Sequence, residues 1–280
     1  MSKLIIKEQL QRFLIEDIGE GDRSSEAVIP SDLLGFGRMI AKEDGIMAGG
    51  AILTLGFELL DSNVRVGSDL KDGEAFQAGD TIATIEGPVR SLLAGERVLL
   101  NLLQRMSGIA TMTKNAINKL DDETIRICDT RKTTPGLRQF EKYSVRCGGG
   151  YNHRFGLNDA VMLKENHILA GGGIINSVKK VREQIGHMVK VEVETTNEVE
   201  VIEAVKSGAD IIMFDNAAPQ EILTYMKHIP VGVTTEASGG ISLENIATFK
   251  GTGVDYISLG CLTHSVKAMD ISFLLEKGEI

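Results

Sequence analysis

A stretch of cationic side chains between Asp129 and His167 is the part of the sequence best suited to chemistry. It contains seven lysines and arginines against four acids, in a chain whose formal net charge is −9, and it holds two of the five histidines. Glycine and proline are interleaved with these charges, which is more typical of rigid loops around an anion than of a solvated basic face. Arginine binds carboxylates and phosphates through paired hydrogen bonds and lysine supplies a point charge, so the stretch predicts a site for a strongly anionic ligand.

Alternating strands and helices must position this stretch. Short apolar runs predict strands, and helical spacing predicts helices between them. The predicted strands are 125–128, 160–163, 189–193, 211–214, 231–235 and 256–259, and the predicted helices are 174–184, 197–207, 219–228 and 242–249. Such alternation implies parallel strands joined by right-handed crossovers. The spacing suits an α/β barrel with fewer than eight strands, and an open doubly wound sheet is the competing architecture.

Polar residues or glycines follow each predicted strand. In barrel enzymes these strand ends carry the chemistry, because rigid strands direct loop residues into one mouth. Taken singly, the lysines could be Schiff-base nucleophiles, the acids could be structural ion pairs, and Ser-Gly-Gly could be a simple turn or a phosphate site before the 242–249 helix. Their joint placement favours a functional site. The residues concerned are Thr130, Arg131, Lys132, Lys164, Glu194, Asp215, Ser238, Gly239, Gly240, Leu259, Gly260 and Cys261.

The chemistry of this set indicates what it binds. The cations require anionic groups, and Glu194 and Asp215 require hydroxyls or a divalent cation. A phosphorylated sugar with Mg²⁺ satisfies both, since Mg²⁺ is commonly held by few carboxylates together with ligand phosphates. No nucleophile–base pair stands out, so catalysis by positioning and charge complementarity is the better hypothesis.

The remainder of the chain bounds the class of protein. Residues 1–105 predict an α+β domain, and 106–269 hold the strand–helix alternation. The acidic balance argues against a nucleic-acid-binding protein, and no apolar run approaches the length that spans a bilayer. Early charges argue against a signal peptide, and three cysteines without CxxC spacing indicate neither a disulfide framework nor a zinc site. We therefore expect a cytoplasmic protein.

Several segments together resemble the quinolinate phosphoribosyltransferases, and the resemblance covers essentially the whole chain. Many specific segments in the right order are a stronger signal than any single motif. They are Gly95-Glu-Arg-Val-Leu-Leu-Asn, Asp129-Thr-Arg-Lys-Thr-Thr-Pro-Gly-Leu-Arg, Asn152-His-Arg, Leu163-Lys-Glu-Asn-His, Glu192-Val-Glu, Phe214-Asp-Asn, Ser238-Gly-Gly and Gly260 through Thr263-His-Ser.

The resemblance implies an N-terminal α/β sandwich, with residues 270–280 packing back on it, and an incomplete, open α/β barrel of about six to seven parallel strands. It also implies a homodimer with shared active sites, or a higher oligomer. The reaction would join quinolinate to phosphoribosyl pyrophosphate with Mg²⁺, giving nicotinate mononucleotide, pyrophosphate and CO2 in de novo NAD biosynthesis.

The resemblance also implies roles for individual residues. Carboxylates of quinolinate would be held by Arg131, His153, Arg154 and the neighbouring subunit's Arg97. Lys132 and Lys164 would face the anionic centre. Glu194 and Asp215 would hold the ribose hydroxyls and Mg²⁺, directly or through water or substrate. Ser238–Gly240 and Leu259–Cys261 would cradle the 5′-phosphate.

Two alternatives keep the fold but change the function. The first is a related protein, either a paralogue associated with molybdate transport or a transferase for nicotinate. The density of cations argues against nicotinate, which has one carboxylate. The second alternative is a non-catalytic anion sensor, which is disfavoured because Glu194 and Asp215 would weaken anion binding unless a metal or hydroxyls were present.

Overall fold

The computed structural model describes residues 2–276. Two compact units divide this part of the chain. The first contains the residues up to Lys114, Thr133–Gly149 and those from Ser265 on, and the second contains Asn115–Lys132 and Gly150–His264. No helix within residues 2–276 combines the length and apolar character needed to cross a membrane.

The described residues form the following elements in chain order. The helices are α1 (Lys3–Ile18), α2 (Arg23–Val28), α3 (Gly50–Leu60), α4 (Val89–Leu120), α5 (Arg138–Cys147), α6 (Glu165–Gly171), α7 (Ile174–Arg182), α8 (Glu198–Ser207), α9 (Pro219–Tyr225) and α10 (Cys261–His264), with 3-10 turns at Met226–His228 and Ile246–Phe249. The strands are β1 (Leu34–Ala41), β2 (Gly45–Ile46), β3 (Arg65–Gly67), β4 (Ala75–Phe76), β5 (Thr81–Pro88), β6 (Arg126–Cys128), β7 (Val161–Leu163), β8 (Val191–Thr195), β9 (Ile211–Asp215), β10 (Thr234–Ser238), β11 (Tyr256–Ser258) and β12 (Ile271–Glu276).

The first unit is an α/β sandwich built on an antiparallel sheet with the strand order β12-β1-β5-β3. Side chains of β1 alternate between buried and partly exposed, as expected for a sheet covered on one face. Its apolar face shares one core with residues of α1, α3 and α4, including Leu10, Phe57 and Leu103. The predicted return of the C-terminal segment lies here, because β12 pairs with β1. The predicted segment also includes residues 277–280, which lie outside the described part.

The second unit is built on a six-stranded parallel sheet with the order β6-β11-β10-β9-β8-β7. Neighbouring strands pair in parallel register throughout, with helices between them along the chain. Within residues 2–276, β6 and β7 are the edges of this sheet, so the barrel is open. The predicted fold class, a sandwich plus an incomplete barrel of six to seven parallel strands, is confirmed.

The sequence and the structure place the boundary between the two parts of the chain at different positions in α4. The sequence predicts it between residues 105 and 106, inside α4, whereas the compact units divide between Lys114 and Asn115 in the same helix. The chain also returns to the first unit for Thr133–Gly149, which contains α5. The assignment of 1–105 and 106–269 as domains therefore stays a prediction.

Two predicted elements differ from the structure for local reasons. The strand predicted at 231–235 begins only at Thr234, because Val233 donates its N–H to the Pro230 carbonyl across a turn in which Gly232 has φ +99°. The helix predicted at 242–249 is wrong except for a 3-10 turn at its end. Asn245 bonds the Ser242 N–H and the Gly240 carbonyl, and such side-chain bonds to the local backbone compete with helix formation.

Candidate active site

A pocket of about 200 Å³ opens in the second unit at the carboxyl ends of the parallel strands. Ten of the residues predicted from the sequence line it. They are Thr130, Arg131, Lys132, His153, Arg154, Lys164, Glu194, Asp215, Ser238 and Gly239, and the lining is completed by Met162, Met213, Glu236 and Ser258. The residues proposed to do the chemistry thus converge on one mouth, as the strand-end hypothesis required.

Strand register explains why these side chains meet. In β9, Met213 is in register with Glu194 of β8 and with Glu236 of β10, and Asp215 is in register with Ser238. Residues two apart on a strand point to the same face, so β8, β9 and β10 each present two polar or lining side chains to the pocket. The parallel sheet therefore assembles the site without requiring long loops.

The loop after β6 is held by hydrogen bonds within the second unit. The Thr130 hydroxyl accepts the N–H of Lys132 at 3.0 Å, and the Thr263 hydroxyl donates to the Lys132 carbonyl at 2.8 Å. Gly260 lies against the same lysine, since a Cβ on it would stand 3.0 Å from Lys132 Cδ. These contacts fix the backbone of Lys132 and leave its ammonium in the pocket.

The buried Asp129 anchors the segment that carries His153 and Arg154. Its carboxylate is fully buried and accepts the N–H of His153 at 2.9 Å and the side-chain amide of Asn152. The Arg154 guanidinium donates to the Ala160 carbonyl at 2.9 Å. Burial, reinforced by the charge of Arg131, lowers the pKa of Arg154 from its usual value. Two guanidinium groups close enough to repel each other are suited to a ligand with several negative charges.

Both ring nitrogens of the His153 imidazole have partners within the protein. The N–H of Arg154 donates to Nδ1 at 2.9 Å, so Nδ1 carries no proton. The ring proton is therefore on Nε2, which lies 3.1 Å from Glu192 Oε2 and 3.7 Å from Glu236 Oε2. Within residues 2–276, these three side chains are the one group with the spacing of a metal site, but a protonated Nε2 has no lone pair for a metal. The group is a hydrogen-bonded cluster.

Glu192 and Glu236 are almost completely buried, at 3 % and 5 % exposure. Burial, and then the charge of Glu192, raise the pKa of Glu236 to about 7, against the opposing influence of His153. Two buried carboxylates this close cannot both be charged without a large cost, so one of them keeps a proton near neutrality. The pocket wall therefore includes a carboxylic acid.

Two further acids lie at the mouth of the pocket. Glu194 Oε2 is 2.6 Å from Lys164 Nζ, and the Asp215 carboxylate accepts the side-chain amide of Asn216 at 2.7 Å. Asn216 has a positive φ of +56° and donates its N–H to the Ser238 carbonyl at 2.8 Å. A non-glycine residue in this conformation costs free energy, which the surrounding bonds must offset. Asp215 is thus held at a sharply turned strand end.

Five predicted residues do not line the pocket. Gly240 bonds Asn245 through its carbonyl, Leu259 is fully buried, and Gly260 and Cys261 lie at the start of α10. Arg97 lies on α4 in the first unit, where 60 % of its side chain is exposed and its nearest acid is Glu96. Arg97 was predicted to bind quinolinate in the active site of a neighbouring subunit, so it was not expected to line the pocket of its own subunit.

No role was predicted for Glu192 or Glu236, although Glu192 lies in a segment quoted above and Glu236 lies just before another. Glu192 begins the Glu-Val-Glu segment and Glu236 precedes Ser238 by two residues. The alternation of side chains along a strand could have identified both acids, because it places Glu192 on the same face as Glu194 and Glu236 on the same face as Ser238.

Fold and site together define a class: an α/β-barrel enzyme that binds polyanionic substrates at its carboxyl strand ends. Models of the quinolinate phosphoribosyl transferase N-terminal and C-terminal domains match residues 22–107 and 109–274. A probable nicotinate-nucleotide pyrophosphorylase [carboxylating] of Bacillus subtilis is 54 % identical, over 97 % of this chain and 94 % of that protein.

Solved structures agree. NadC from Streptococcus pyogenes is similar with a TM-score of 0.96 and 41 % identity, covering 100 % of this chain and 99 % of that one. The nicotinate-nucleotide pyrophosphorylase from Francisella tularensis has a TM-score of 0.94 and 36 % identity, with coverages of 99 % and 98 %. The chain belongs to the quinolinate phosphoribosyltransferase family.

Proposed function

We propose that this protein transfers the phosphoribosyl group of phosphoribosyl pyrophosphate to quinolinate and releases CO2, pyrophosphate and nicotinate mononucleotide, as a pentosyltransferase of de novo NAD biosynthesis. The observation that carries the proposal is the convergence of Lys132, Lys164, Glu194 and Asp215 on one pocket beside Arg131 and Arg154. Family membership supports the choice of substrates.

The carboxylates of quinolinate bind to the arginines in this proposal. Arg131 and Arg154 line the pocket and supply guanidinium forks that match carboxylate geometry. His153 also lines the pocket, and its ring bonds the Arg154 backbone and Glu192. Its predicted role in holding quinolinate is part of this proposal.

The phosphoribosyl group binds at the mouth. Lys132 and Lys164 neutralise the phosphates, and Ser238 and Gly239 provide the polar end of β10 for the 5′-phosphate. When the pyridine nitrogen attacks the anomeric carbon, positive charge develops on the ribose. The carboxylates of Glu194 and Asp215 stabilise that charge, a role that needs fixed groups and no covalent intermediate.

Mg²⁺ is part of the proposal, and the residues present suit it. Within residues 2–276, Glu194 and Asp215 belong to no group of three close ligand atoms, so an ion there would complete its coordination with water and substrate oxygens. Mg²⁺ is usually bound in this way, by one or two carboxylates plus phosphates. When bound, the ion would neutralise charge on the departing pyrophosphate.

A homodimer with shared active sites is likewise proposed. Arg97 of the first unit has 60 % of its side chain exposed and pairs with the neighbouring Glu96 at 3.5 Å, which leaves its guanidinium accessible to a second subunit. A cytoplasmic location is also proposed, supported by the cysteines of residues 2–276, which form no disulfide.

The function is tested by incubating the pure protein with quinolinate, phosphoribosyl pyrophosphate and Mg²⁺. Nicotinate mononucleotide, CO2 and pyrophosphate should appear in equal amounts. Replacing quinolinate with nicotinate should give little product, because one carboxylate leaves part of the arginine pair unpaired. Tight binding of both substrates without turnover would indicate an anion-binding protein instead.

A further inference from the structure

Glu236 is an acid on the pocket wall that the proposed binding scheme does not use. It lines the pocket but is only 5 % exposed, so its carboxyl group is shielded from bulk water. Its Oε1 atom is buried and has no hydrogen-bond partner among the described residues. A buried carboxylate oxygen without a donor is costly, whereas a carboxylic acid with its hydroxyl directed at a ligand is not.

The groups around Glu236 favour the uncharged form. Glu192 of β8 and Asp129 after β6 are buried acids that oppose a further negative charge, and the Cys128 thiol lies 4.0 Å from Oε2. Ser258 of β11 and the charge of His153 act in the opposite direction, but burial and Glu192 outweigh them. The pKa of Glu236 is accordingly raised by burial and by Glu192.

The acid is also separate from the carboxylates proposed for Mg²⁺. Met213 of β9 is in register with both Glu194 and Glu236, so an apolar side chain stands between the two glutamates in the sheet. Glu236 lies 3.7 Å from His153 Nε2, whereas Glu194 is paired with Lys164 at 2.6 Å, so the two glutamates have different partners in the pocket.

The proposed reaction needs one proton at a carbon atom. Bond formation at the pyridine nitrogen makes the ring cationic, and the bond between C2 and its carboxylate then breaks. CO2 leaves, and the electron pair remains on C2 beside the cationic nitrogen. A proton must be added there to give nicotinate mononucleotide, so each turnover consumes one acidic hydrogen.

We propose that Glu236 is the catalytic acid that protonates C2 of the pyridine ring after CO2 leaves. This inference rests on the proposed function. The O–H bond of Glu236 breaks, its hydrogen forms the new C2–H bond, and the resulting carboxylate takes a proton from water once product departs. Burial against Glu192 and Asp129 makes the carboxylate form unfavourable and so increases the driving force for returning to the acid.

The two lysines of the pocket are poorer donors. Lys132 and Lys164 are exposed, and Lys164 is already paired with Glu194 at 2.6 Å. A lysine that gave up its proton would also lose the positive charge that neutralises the phosphates. Glu236 can donate without removing a cation from the site.

The test compares pyrophosphate release with CO2 release in a rapid-quench experiment on wild type, Glu236→Gln and Glu236→Asp. In Glu236→Gln, phosphoribosyl transfer should proceed but the carbanion should recapture CO2, so the still-carboxylated nucleotide accumulates. We expect a burst of pyrophosphate equal to the sites and a CO2 rate reduced about 100-fold or more. Glu236→Asp, which keeps an acid, should recover part of the CO2 rate. Glu183→Gln, an exposed glutamate outside the site, is the matched control.

The outcomes separate the two proposals. A wild type that makes no product removes the proposed function. If wild type forms product but Glu236→Gln releases pyrophosphate and CO2 at equal rates, only the role of Glu236 is removed. A general structural defect would slow both releases equally. If Glu236→Gln does not fold, wild-type infrared spectra decide: a protonated-carboxyl band should be present at about pH 6 and absent at about pH 9. Its absence at both would overturn the inference.

Discussion

Replacing Glu236 with Gln should change how the stability of the protein depends on pH. Burial and the neighbouring Glu192 raise the pKa of Glu236 from 4.5 to about 7. A group whose pKa is higher in the folded state binds more protons there, so its stabilising contribution is complete below the unfolded pKa and is lost as pH rises through the folded one. The variant lacks this titration.

The magnitude follows from the size of the shift. Each pKa unit corresponds to about 1.4 kcal/mol, and most of the interval between the two pKa values lies between about pH 5 and pH 8. Wild type should therefore lose about 2–3 kcal/mol more unfolding free energy than Glu236→Gln over that range. Most of this should be measurable because the side chain is only 5 % exposed.

The assay is urea unfolding of wild type, Glu236→Gln and the exposed control Glu183→Gln at both pH values. The comparison uses only the change in unfolding free energy between the two pH values. Any pH-independent cost of packing the glutamine amide therefore cancels. The control should keep the wild-type pH dependence. Parallel curves for wild type and Glu236→Gln would show that Glu236 is already charged near pH 5, and the account of the buried cluster would be wrong.

Three further experiments test other parts of the structure. Arg105→Met should cost about 3–5 kcal/mol in urea unfolding, because it leaves Glu141, 1 % exposed and bonded by Arg105 at 2.6 and 2.9 Å, as an uncompensated buried charge. An unfolding free energy within about 1 kcal/mol of the wild-type value would contradict this prediction. Arg131→Lys should lower kcat/KM for quinolinate on the order of 100-fold, since a point charge does not replace a guanidinium fork, and unchanged kcat/KM would exclude a carboxylate clamp there. Equal mixtures of Arg97→Ala and Lys164→Ala subunits should recover about a quarter of wild-type activity, because half of random dimers are mixed and each has one intact site. No recovery, with mixed dimers demonstrated, would place Arg97 outside a shared site.

The parts of the fold that sequence predicted well are those with strong local signals. Asn197 was expected to begin a helix, and its side chain accepts the N–H of Glu200 at 3.1 Å at the start of α8. Pro219 occupies the first turn of α9, as proline at a helix start predicts. The strand at 231–235 was misplaced, because Val231 has strand-forming character but lies fully exposed on a turn.

The parts of the site that the sequence predicted are those at the strand ends. Side chains that follow a parallel strand reach one edge of the sheet whatever the strand order, so Lys164, Glu194 and Asp215 could be placed together without knowing the topology. Gly260 also follows a strand, but it lies against Lys132 and is not among the pocket-lining residues, a placement that depends on how the loop turns. No local pattern specifies that turn.

The buried acids could not be predicted because their effect depends on which strands are neighbours. Glu192 and Glu236 are far apart in sequence, and each alone is an ordinary polar residue on an alternating strand. They face each other because β9 alone separates β8 from β10 and the sheet curves around the pocket. Curvature brings Glu192, Glu236 and His153 within bonding range, and burial then changes the charge of one acid. The same sheet therefore positions the cations that bind the substrates and also buries an acid, Glu236, whose proton the reaction can use.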